Sequence, residues 1–345
     1  MQTQSKISWK SPSNIALVKY WGKFGRQYPS NPSISLTLNN AHTITELEYE
    51  YSDSKLDSIE LEFMFEGKAN KAFEDKLKKF LNSIEDVYPL INHLRLKINS
   101  SNSFPHSSGI ASSASSMSAL AMCLVDIERN INGTEALDMY KASNLARLGS
   151  GSASRSVFPK IAVWGSAESI ANSSNDHAIP YVEGIDPVFY TYRDDILLVS
   201  KKEKSVSSRA GHALMENNPY AEIRFAEANK NLDAIIRCMK EGDLHGFGEL
   251  VEKEALSLHA LMMCSNPPYL LIEADTVHII KAIQQFRMDT NIPVYFTLDA
   301  GPNIHMLYPS EFAEPIKDLK AVLTDYCQDG SILDDEVGNG PEKLM

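Results

Sequence analysis

The feature that most constrains this chain is a run of small residues that leads directly into an apolar helical pattern. Residues Pro105–Ser116 are rich in serine, alanine and glycine. Apolar residues follow them at helical spacing, namely Met117, Leu120, Ala121, Leu124 and Val125. Small side chains let a ligand approach the backbone, and a first helical turn presents free N–H groups at the positive end of its dipole. The pattern predicts either a phosphate-type anion site at a helix start or a serine-rich cap on a core helix.

The rest of the chain alternates strand patterns with helix patterns. Strand patterns fall within residues 31–65 and at Leu94–Ile98, Ile196–Val199, Val294–Leu298 and Ile304–Tyr308. Helical stripes fall near residues 70–86, 135–148, 219–240, 243–262 and 273–289. Mixed elements in this order predict an α+β protein with two halves and a cleft between them.

Two further segments have no regular pattern. Residues 168–186 are polar and interrupted by Asn, Ser, Asp and Pro, which is typical of a surface loop. The acidic segment Leu333–Glu336 is consistent with a frayed tail, although the Gly338–Pro341 that follows it favours a turn.

The composition limits the classes of function. With 345 residues the chain suffices for one large domain or two ordinary ones. Its apolar stretches are too short to span a bilayer, and its N-terminus lacks the apolar core of a signal peptide. The four cysteines have no metal-site spacing, which predicts reduced thiols in a cytoplasmic protein. A formal net charge of −12 argues against nucleic acid as a partner, and an anionic substrate would need a local basic cluster.

The segment Asn14–Lys23 combines two lysines with two aromatic residues. Lys19 and Lys23 are four residues apart, with Tyr20 and Trp21 between them. A lysine beside bulky aromatic rings is partly desolvated, so its charge acts strongly on a nearby phosphate or carboxylate. The alternative is a surface strand with two solvated lysines.

A second segment rich in glycine and serine is Gly149–Ser156, which follows a predicted helix. Glycine and serine allow close backbone approach and offer hydroxyl donors. Arg155 within it can hold a carboxylate or phosphate through two parallel hydrogen bonds. The alternative is a flexible loop that leaves Arg155 on the surface.

An aspartate stands at the end of an apolar strand pattern. Asp299 follows Val294–Leu298 and precedes Ala300-Gly301-Pro302-Asn303. A carboxylate at the end of a buried strand is costly unless it is paired or functional. With a lysine nearby it would stay ionised and could orient or deprotonate a hydroxyl. The alternative is an Asx turn that caps the strand.

The remaining motifs are weaker. Within Ser205–His212, Ser208 and Arg209 could hold a second phosphate, with a solvated loop as the alternative. The nine histidines form no HxxxH or HxH pair, which argues against a structural zinc site. The chain has no GxSxG or GxxxxGK[ST] motif, which weighs against the common hydrolases and the Walker-type nucleotide site.

Taken together, these segments resemble the GHMP superfamily of small-molecule kinases, and within it the diphosphomevalonate decarboxylase family. Asn14–Lys23 is similar to that family's NIAxxKYWGK, and Phe104–Ala114 to its FPTAAGLASSA phosphate loop. Gly149–Ser156 resembles GSGSACRS, and Phe296–Asn303 resembles TFDAGPN. The resemblance spans nearly the whole chain. Since Val337–Pro341 resembles the family's ending, an ordered C-terminus is expected.

The resemblance implies a fold and a reaction. The fold is the α+β GHMP-kinase two-domain fold, with a ribosomal protein S5 domain 2-like N-terminal half at residues 1–190 and a ferredoxin-like C-terminal half at residues 191–345. The active site is expected in the cleft between them. The implied reaction is the ATP-dependent decarboxylation of mevalonate 5-diphosphate to isopentenyl diphosphate, in the mevalonate pathway of isoprenoid biosynthesis. A homodimer that uses ATP and Mg²⁺ is expected.

The resemblance also assigns roles to residues. Asp299 would act on the substrate hydroxyl as base or orienting group, with Lys19 beside it and the transferring phosphate. Arg155 would hold the substrate carboxylate, and Ser113 would help place the γ-phosphate. The substrate, mainly its diphosphate, would be bound by Tyr20, Lys23, Ser150, Gly151, Ser152, Ser208 and Arg209. The ATP phosphates would be held by Pro105, Ser107, Ser108, Gly109, Ile110, Ala111, Ser112 and Ser113. No protein ligand is assigned to Mg²⁺.

Three places depart from the family's pattern. His106-Ser107-Ser108 stands where the family usually has TAA, and Ser154 replaces a cysteine. His212 stands where the family often has methionine near the diphosphate, and it could alter affinity or make binding pH-dependent. These changes leave open an enzyme for mevalonate monophosphate or a 3-hydroxy kinase without decarboxylation. Retention of the lysine, arginine and aspartate argues against the pure kinase, and a non-catalytic phosphate-binding protein would be expected to lack the lysine or the aspartate.

Overall fold

The chain folds around two main sheets whose strands are mostly antiparallel, and each sheet is covered by helices. The computed structural model describes residues 4–104, 112–202 and 206–345. Its strands are β1 (Gln4–Ala16), β2 (Lys23–Phe24), β3 (Tyr28–Pro29), β4 (Ser33–Tyr51), β5 (Glu60–Phe65), β6 (Lys68–Ala69), β7 (Leu94–Asn102), β8 (Ile161–Trp164), β9 (Ala178–Pro180), β10 (Tyr192–Leu197), β11 (Tyr295–Leu298), β12 (Ile304–Pro309), β13 (Ile332–Glu336) and β14 (Glu342–Lys343). Its helices are α1 (Lys71–Ser83), α2 (Ser112–Asn132), α3 (Met139–Gly149), α4 (Ser208–Ala213), α5 (Ala221–Glu241), α6 (Leu244–Met263), α7 (Ala274–Thr290) and α8 (Ala313–Leu323).

The N-terminal half is built on the longer sheet, in which the strands run in the order β14-β1-β4-β7-β5-β6, with β8 and β9 branching from β4. Burial alternates along β4 from Ala41 to Glu50, as expected for a strand with one face on the core. Helix α2 packs across β1 and β4. Its apolar stripe, including Leu120 and Leu124, is buried against Trp9 and Leu47 of those strands. This packing fixes the start of α2 next to the end of β1.

The C-terminal half is built on the sheet β11-β12-β10-β13. Helix α6 packs against β11 and pairs with α5, while α7 packs against α8. The core between this sheet and its helices includes Ile279, Ile283, Phe296, Met306 and Ile316. Strand β11 therefore lies fully buried up to the residue that precedes Asp299.

The two halves share one apolar cluster. Ile15 and Leu36 of the first sheet pack in the same buried cluster as Ile196, Leu232 and Phe247 of the second half. The end of the chain also returns to the first half, since β14 pairs with β1 in antiparallel register. The halves are therefore joined by a continuous core as well as by the chain.

Most sequence expectations for the elements are confirmed. Helices α1, α5, α6 and α7 and strands β7, β11 and β12 fall where the patterns predict them. The predicted helix near 135–148 is shorter at its start, beginning at Met139, where the Asp138 side chain caps it. The predicted strand Ile196–Val199 belongs to a longer strand that ends at Leu197.

Two expectations are wrong. Residues 168–186 are not only surface loop, because Ala178 and Ile179 are buried in β9, which pairs with β8. The acidic segment Leu333–Glu336 is neither frayed nor a turn, because it forms most of β13, which pairs with β10. Its Asp335 is buried, and its carboxylate is stabilised there because it accepts hydrogen bonds from the backbone N–H groups of Asn39, Asn40 and Ala41 at 2.7–2.8 Å. The expected order at the C-terminus is confirmed.

All four cysteines are free thiols, and Cys264 alone among them is exposed. Within the described ranges, no three histidine, cysteine or acidic side chains lie close enough together to hold a metal ion. No helix in the described part of the chain is both long and apolar enough to cross a membrane.

Candidate active site

The sequence-predicted residues meet in one cavity of about 280 Å³ between the two halves. Its lining includes most of the predicted set: Lys19, Tyr20, Lys23, Ser113, Ser150, Gly151, Ser152, Arg155, Ser208, Arg209 and Asp299. Ser112 begins α2 beside Ser113 and does not line the cavity. Pro105, Ser107, Ser108, Gly109, Ile110 and Ala111 lie outside the described residues, as does His106.

Lys19 and Asp299 form an ion pair across the cavity, with Lys19 Nζ 3.2 Å from Asp299 Oδ1. The lysine side chain is 1% exposed, whereas that of the aspartate is 28% exposed. Burial lowers the pKa of Lys19 below its usual value, and the charge of Asp299 opposes that shift. The buried ammonium thus faces one carboxylate that remains open to a ligand.

The loop after β11 holds Asp299 from its backbone. The Gly301 N–H donates to the Asp299 carbonyl at 2.7 Å, and His259 Nε2 lies 3.1 Å from the same oxygen. Asn303 exchanges two hydrogen bonds with the backbone of Ser200, at 2.9 and 3.0 Å. Since this loop is tied on both sides, the strand end presents the Asp299 carboxylate to Lys19 in a fixed position.

Arg155 is buried, so the alternative interpretation, a flexible loop that leaves it on the surface, is wrong. It lies in a 3₁₀ helix, Gly151–Val157, and is 2% exposed. Its Nη1 donates to Ser33 Oγ at 2.6 Å, and its Nε donates to Asn14 Oδ1 at 3.3 Å. Burial lowers the pKa of Arg155 to about 10, so the guanidinium is charged at neutral pH.

Gly151 is required where it stands. A Cβ atom at this position would lie 2.8 Å from the Tyr20 hydroxyl and 2.8 Å from the Trp164 ring. The Tyr20 and Trp164 rings meet edge to face at 4.7 Å between centroids. The glycine therefore lets the serine-rich segment approach the aromatic wall that Tyr20 forms.

Lys23, Ser208 and Arg209 lie toward solvent, at the other end of the lining. Ser208 and Arg209 are exposed, and Lys23 is half-buried, with its Nζ donating to Gln27 Oε1 at 2.6 Å. Partial burial and the nearby charge of Arg209 both lower the pKa of Lys23. Two cations that repel each other at an open site are suited to an anionic ligand that relieves the repulsion.

His212 lies between two aromatic rings of the cavity wall, 4.4 Å from Tyr20 and 4.5 Å from Trp21 between centroids. Its Nδ1 accepts the Gly22 N–H at 3.0 Å. Burial lowers the pKa of His212 to about 3, and the charge of Lys23 adds to that shift. The expectation that this histidine could make binding pH-dependent near neutrality is therefore not supported, because the imidazole is neutral there.

Ser113 lies on the first turn of α2, a helix of 21 residues. Its hydroxyl is 3.1 Å from that of Ser150. It is exposed and lines the same cavity as Asp299. A hydroxyl and free N–H groups at a helix start suit an anionic group.

The lining is basic although the chain as a whole is acidic. Among the described residues it contains four cations, Lys19, Lys23, Arg155 and Arg209, and a single carboxylate, Asp299. The expectation of a local basic cluster in a chain of net charge −12 is confirmed. The arrangement can bind a polyanion and hold one carboxylate beside a buried ammonium.

Sequence reasoning missed residues that hold Lys19 and Arg155 in place. Glu254 and Arg224 contact the backbone of Lys19, and Ser33 and Asn14 hold Arg155. Asn14 lies in the predicted Asn14–Lys23 motif, and that position is the signal by which it could have been found. Glu254 has no such signal, because it is one polar residue among several on a helix.

Comparisons with known proteins show which family the chain is similar to. A diphosphomevalonate decarboxylase-like N-terminal domain matches residues 11–175, and a mevalonate 5-diphosphate decarboxylase C-terminal domain matches residues 195–342. The diphosphomevalonate decarboxylase of Debaryomyces hansenii is 30% identical over 321 residues, covering 87% of this chain and 79% of that protein.

Solved structures agree over nearly the full length. The mevalonate diphosphate decarboxylase of Staphylococcus aureus superposes with a TM-score of 0.84 at 26% identity, covering 99% of both chains. A complex of MDDEF with MVAPP, AMPPCP and magnesium superposes with a TM-score of 0.83 at 28% identity, also covering 99% of both chains. The α+β architecture described above is consistent with the two-domain GHMP fold.

Proposed function

The chain belongs to the diphosphomevalonate decarboxylase family, and from that premise we propose how its cavity converts mevalonate 5-diphosphate and ATP to isopentenyl diphosphate, ADP, phosphate and CO₂. The observation that carries this function is the Lys19–Asp299 ion pair beside the buried Arg155, in a cavity whose lining also contributes two further cations and several hydroxyls. Phosphoryl transfer depends mainly on positioning and on stabilising charge, which is what this lining offers.

Asp299 acts on the tertiary hydroxyl of the substrate, as its base or orienting group. Its carboxylate is the only one that the described part of the chain contributes to the lining, and it is partly open to the cavity. Lys19 keeps that carboxylate in place and stabilises the negative charge of the transferring phosphoryl group. After transfer, the C–O bond breaks with its electron pair leaving on phosphate. The C–C bond to the carboxylate breaks in turn, its pair forms the double bond, and CO₂ departs.

Arg155 holds the substrate carboxylate before it is lost. Its guanidinium is fixed by Ser33 and Asn14 through Nη1 and Nε. A buried, oriented guanidinium binds a carboxylate more strongly than a solvated one. Release of CO₂ removes the negative charge that Arg155 binds, so the product is held less tightly at this end.

The diphosphate is bound at the open end of the cavity by Lys23, Ser208 and Arg209. Tyr20, Ser150, Gly151 and Ser152 shape the wall between that end and Arg155. Two cations at one end suit a diphosphate better than a monophosphate, which favours mevalonate 5-diphosphate as substrate.

ATP and Mg²⁺ are the cofactors, and the described residues fit both. Ser113 on the first turn of α2 is placed to help position the γ-phosphate, with residues 105–113 as the proposed phosphate loop. Among the described residues no cluster of acidic or histidine side chains could hold a metal by itself. This fits an Mg²⁺ ion held mainly by nucleotide phosphates, whose charge it neutralises.

The test is product analysis with two substrates. Incubation with ATP, Mg²⁺ and mevalonate 5-diphosphate is expected to yield isopentenyl diphosphate, identified by mass spectrometry. Mevalonate 5-phosphate at the same concentration is expected to react much more slowly. Preference for the monophosphate would contradict the assignment of Lys23 and Arg209 to a diphosphate.

Three broader features belong to the same proposal. The domain boundary is near residue 190, which is supported by the start of the second sheet at Tyr192. A homodimer is supported by the family resemblance and is tested by light scattering of the purified protein. A reducing, cytoplasmic location is supported by the four free thiols.

A further inference from the structure

A buried carboxylate lies behind Lys19 and has no role in the reaction as described so far. Glu254 of α6 is 0% exposed, and its Oε2 accepts the backbone N–H of Lys19 at 2.9 Å. Arg224 of α5 binds the same carboxylate through two nitrogens, at 2.6 and 2.8 Å. The Asn231 side chain donates to its second oxygen. Such a fully buried ion pair is costly to desolvate, so it calls for an explanation.

The Glu254–Arg224 ion pair binds both the backbone N–H and the backbone carbonyl of Lys19. While Glu254 accepts the N–H, Arg224 Nη2 donates to the Lys19 carbonyl at 3.2 Å, beside a second donor, Asn31 Nδ2, at 3.0 Å. Lys19 belongs to the N-terminal half, whereas α5 and α6 belong to the C-terminal half, as does Asp299. The lysine is thus fixed to the half that carries its partner carboxylate.

We propose that Glu254 is a positioning residue for phosphoryl transfer, which fixes Lys19 against Asp299 and places a negative charge behind its ammonium. The proposal rests on the function proposed above. The charged groups around Lys19 are Asp299, Glu254, Arg155, the buried Asp194 of β10 and, through the carbonyl contact, Arg224. Burial and Arg155 lower the pKa of Lys19, whereas Asp299 and Glu254 raise it. Glu254 therefore helps keep the lysine protonated in a dry site.

The test is the pH profile of Glu254→Gln. Glutamine keeps the shape and an acceptor for the Lys19 N–H but removes the charge, so the pKa of Lys19 falls further. The protonated lysine is then lost at lower pH, and the alkaline limb of kcat/KM is expected to move down by about 1 pH unit. The KM for mevalonate 5-diphosphate at pH 7 is expected to stay within about twofold, because the diphosphate lies at the other end of the cavity.

Glu252→Gln is the matched control. Glu252 is also a buried carboxylate of α6, paired with an arginine, with Arg287 Nη1 at 2.9 Å, and it accepts a backbone N–H from Phe296. Its loss costs a comparable ion pair but lies outside the cavity lining. The alkaline limb of Glu252→Gln is expected to coincide with that of the parent protein. An equal shift in both variants, or none in Glu254→Gln, would overturn the proposal.

A second variant covers the case in which Glu254→Gln does not fold. Glu254→Asp keeps the charge beside Arg224 but shortens the side chain that accepts the Lys19 N–H, so kcat is expected to fall while the alkaline limb stays at the pH of the parent protein. A limb that moves to lower pH in Glu254→Asp would contradict the charge role of Glu254, and an unchanged kcat would contradict its positioning role. Failure of the parent protein to release CO₂ from mevalonate 5-diphosphate would instead contradict the proposed function, and the two failures are therefore distinguishable.

Discussion

At the scale of single residues, the proposed chemistry depends on one carboxylate, that of Asp299, which is both paired and accessible. Asp299 is held through its backbone by Gly301 and His259, and its side chain meets Lys19. Within residues 4–104, 112–202 and 206–345, the other members of the cavity wall are cations or neutral groups. None of these described lining residues offers a second carboxylate for the role proposed for Asp299.

Asp299→Ala is expected to lower kcat by about 10²–10⁴-fold, because a positioned acid–base group contributes about that much. Nucleotide binding is expected to survive, since the proposed phosphate loop and Ser113 are untouched. Steady-state assays and a nucleotide titration measure the two effects, with Asp53→Ala, an exposed site, as the control. Near-normal turnover in Asp299→Ala would refute its role.

His212 provides a test of pH dependence. The folded pKa of about 3 lies below the unfolded value of 6.5, so between these values only the unfolded chain takes up the proton. This group therefore lowers the free energy of unfolding by about 1.4 kcal/mol per pH unit as the pH falls below 6.5. Denaturant titrations of the parent and of His212→Met between pH 6.5 and 5 are expected to show the steeper loss in the parent.

The exposed His278 supplies the control for that comparison. When His278→Gln is introduced into both the parent and His212→Met, the difference between their slopes of unfolding free energy against pH is expected to stay unchanged. Above pH 6.5, His212 stays neutral, so it adds no step to the pH dependence of substrate binding. Equal slopes in the parent and His212→Met would mean that the histidine titrates freely despite its burial.

At the scale of elements, the sequence predicts what a local pattern determines. The apolar periodicity of α5, α6 and α7 is continuous, and these helices fall where expected. Strand β1 was not predicted, because buried serines interrupt its apolar alternation. The buried Ser11 hydroxyl donates a hydrogen bond of 2.6 Å to Ser118 of α2. A local sequence pattern cannot predict a contact between residues so far apart in the chain. The hydrogen bond between Lys19 and Glu254 joins residues 235 positions apart and is invisible to sequence patterns for the same reason.

The motifs of the cavity were predictable because each is contiguous. Gly149–Ser156 and the segment around Asp299 carry their functional residues within a few positions. Their burial was not predictable, since Arg155 is enclosed by Ser33 and Asn14 of the first sheet. Sequence reasoning thus identified residues that line the cavity. The fold brings in the distant side chains, such as Ser33 and Asn14, that fix their positions.

The short final strand makes a prediction at the same scale. Lys343 of β14 reaches the fully buried Asp126 of α2 at 2.8 Å, beside Trp9 Nε1 at 2.9 Å. Lys343→Met keeps the aliphatic stem but removes one partner of a buried carboxylate. Because Arg129 and Trp9 remain, the expected loss in the free energy of unfolding is about 1–2 kcal/mol. Activity is expected to be unchanged, since neither residue lines the cavity.

Lys6→Met is the control for the final strand. Lys6 lies on β1 and forms a surface pair with Glu46 at 3.7 Å. An exposed pair of this kind contributes little, so its loss is expected to change the free energy of unfolding by less than about 0.5 kcal/mol. Equal effects of the two substitutions in a denaturant titration would show that β14 does not anchor the chain end.

At the scale of the whole molecule, the cavity exists because two halves share a core. One apolar cluster includes Ile15 at the end of β1 and Phe247 of α6, so the two halves that form the cavity walls are joined by a shared core. Lys19 and Arg155 come from one half, and Asp299 and Arg209 from the other. Neither half alone contains the ion pair, so the reaction belongs to the complete chain.

The most direct test of this account is a single-turnover reaction with mevalonate 5-diphosphate labelled at its carboxyl carbon. Enzyme in excess over substrate, with ATP and Mg²⁺, is quenched at intervals, and ADP and labelled CO₂ are both quantified. The account predicts one CO₂ for each ADP, with no CO₂ in the absence of ATP. Formation of ADP without CO₂ would show a kinase rather than a decarboxylase and would contradict the account.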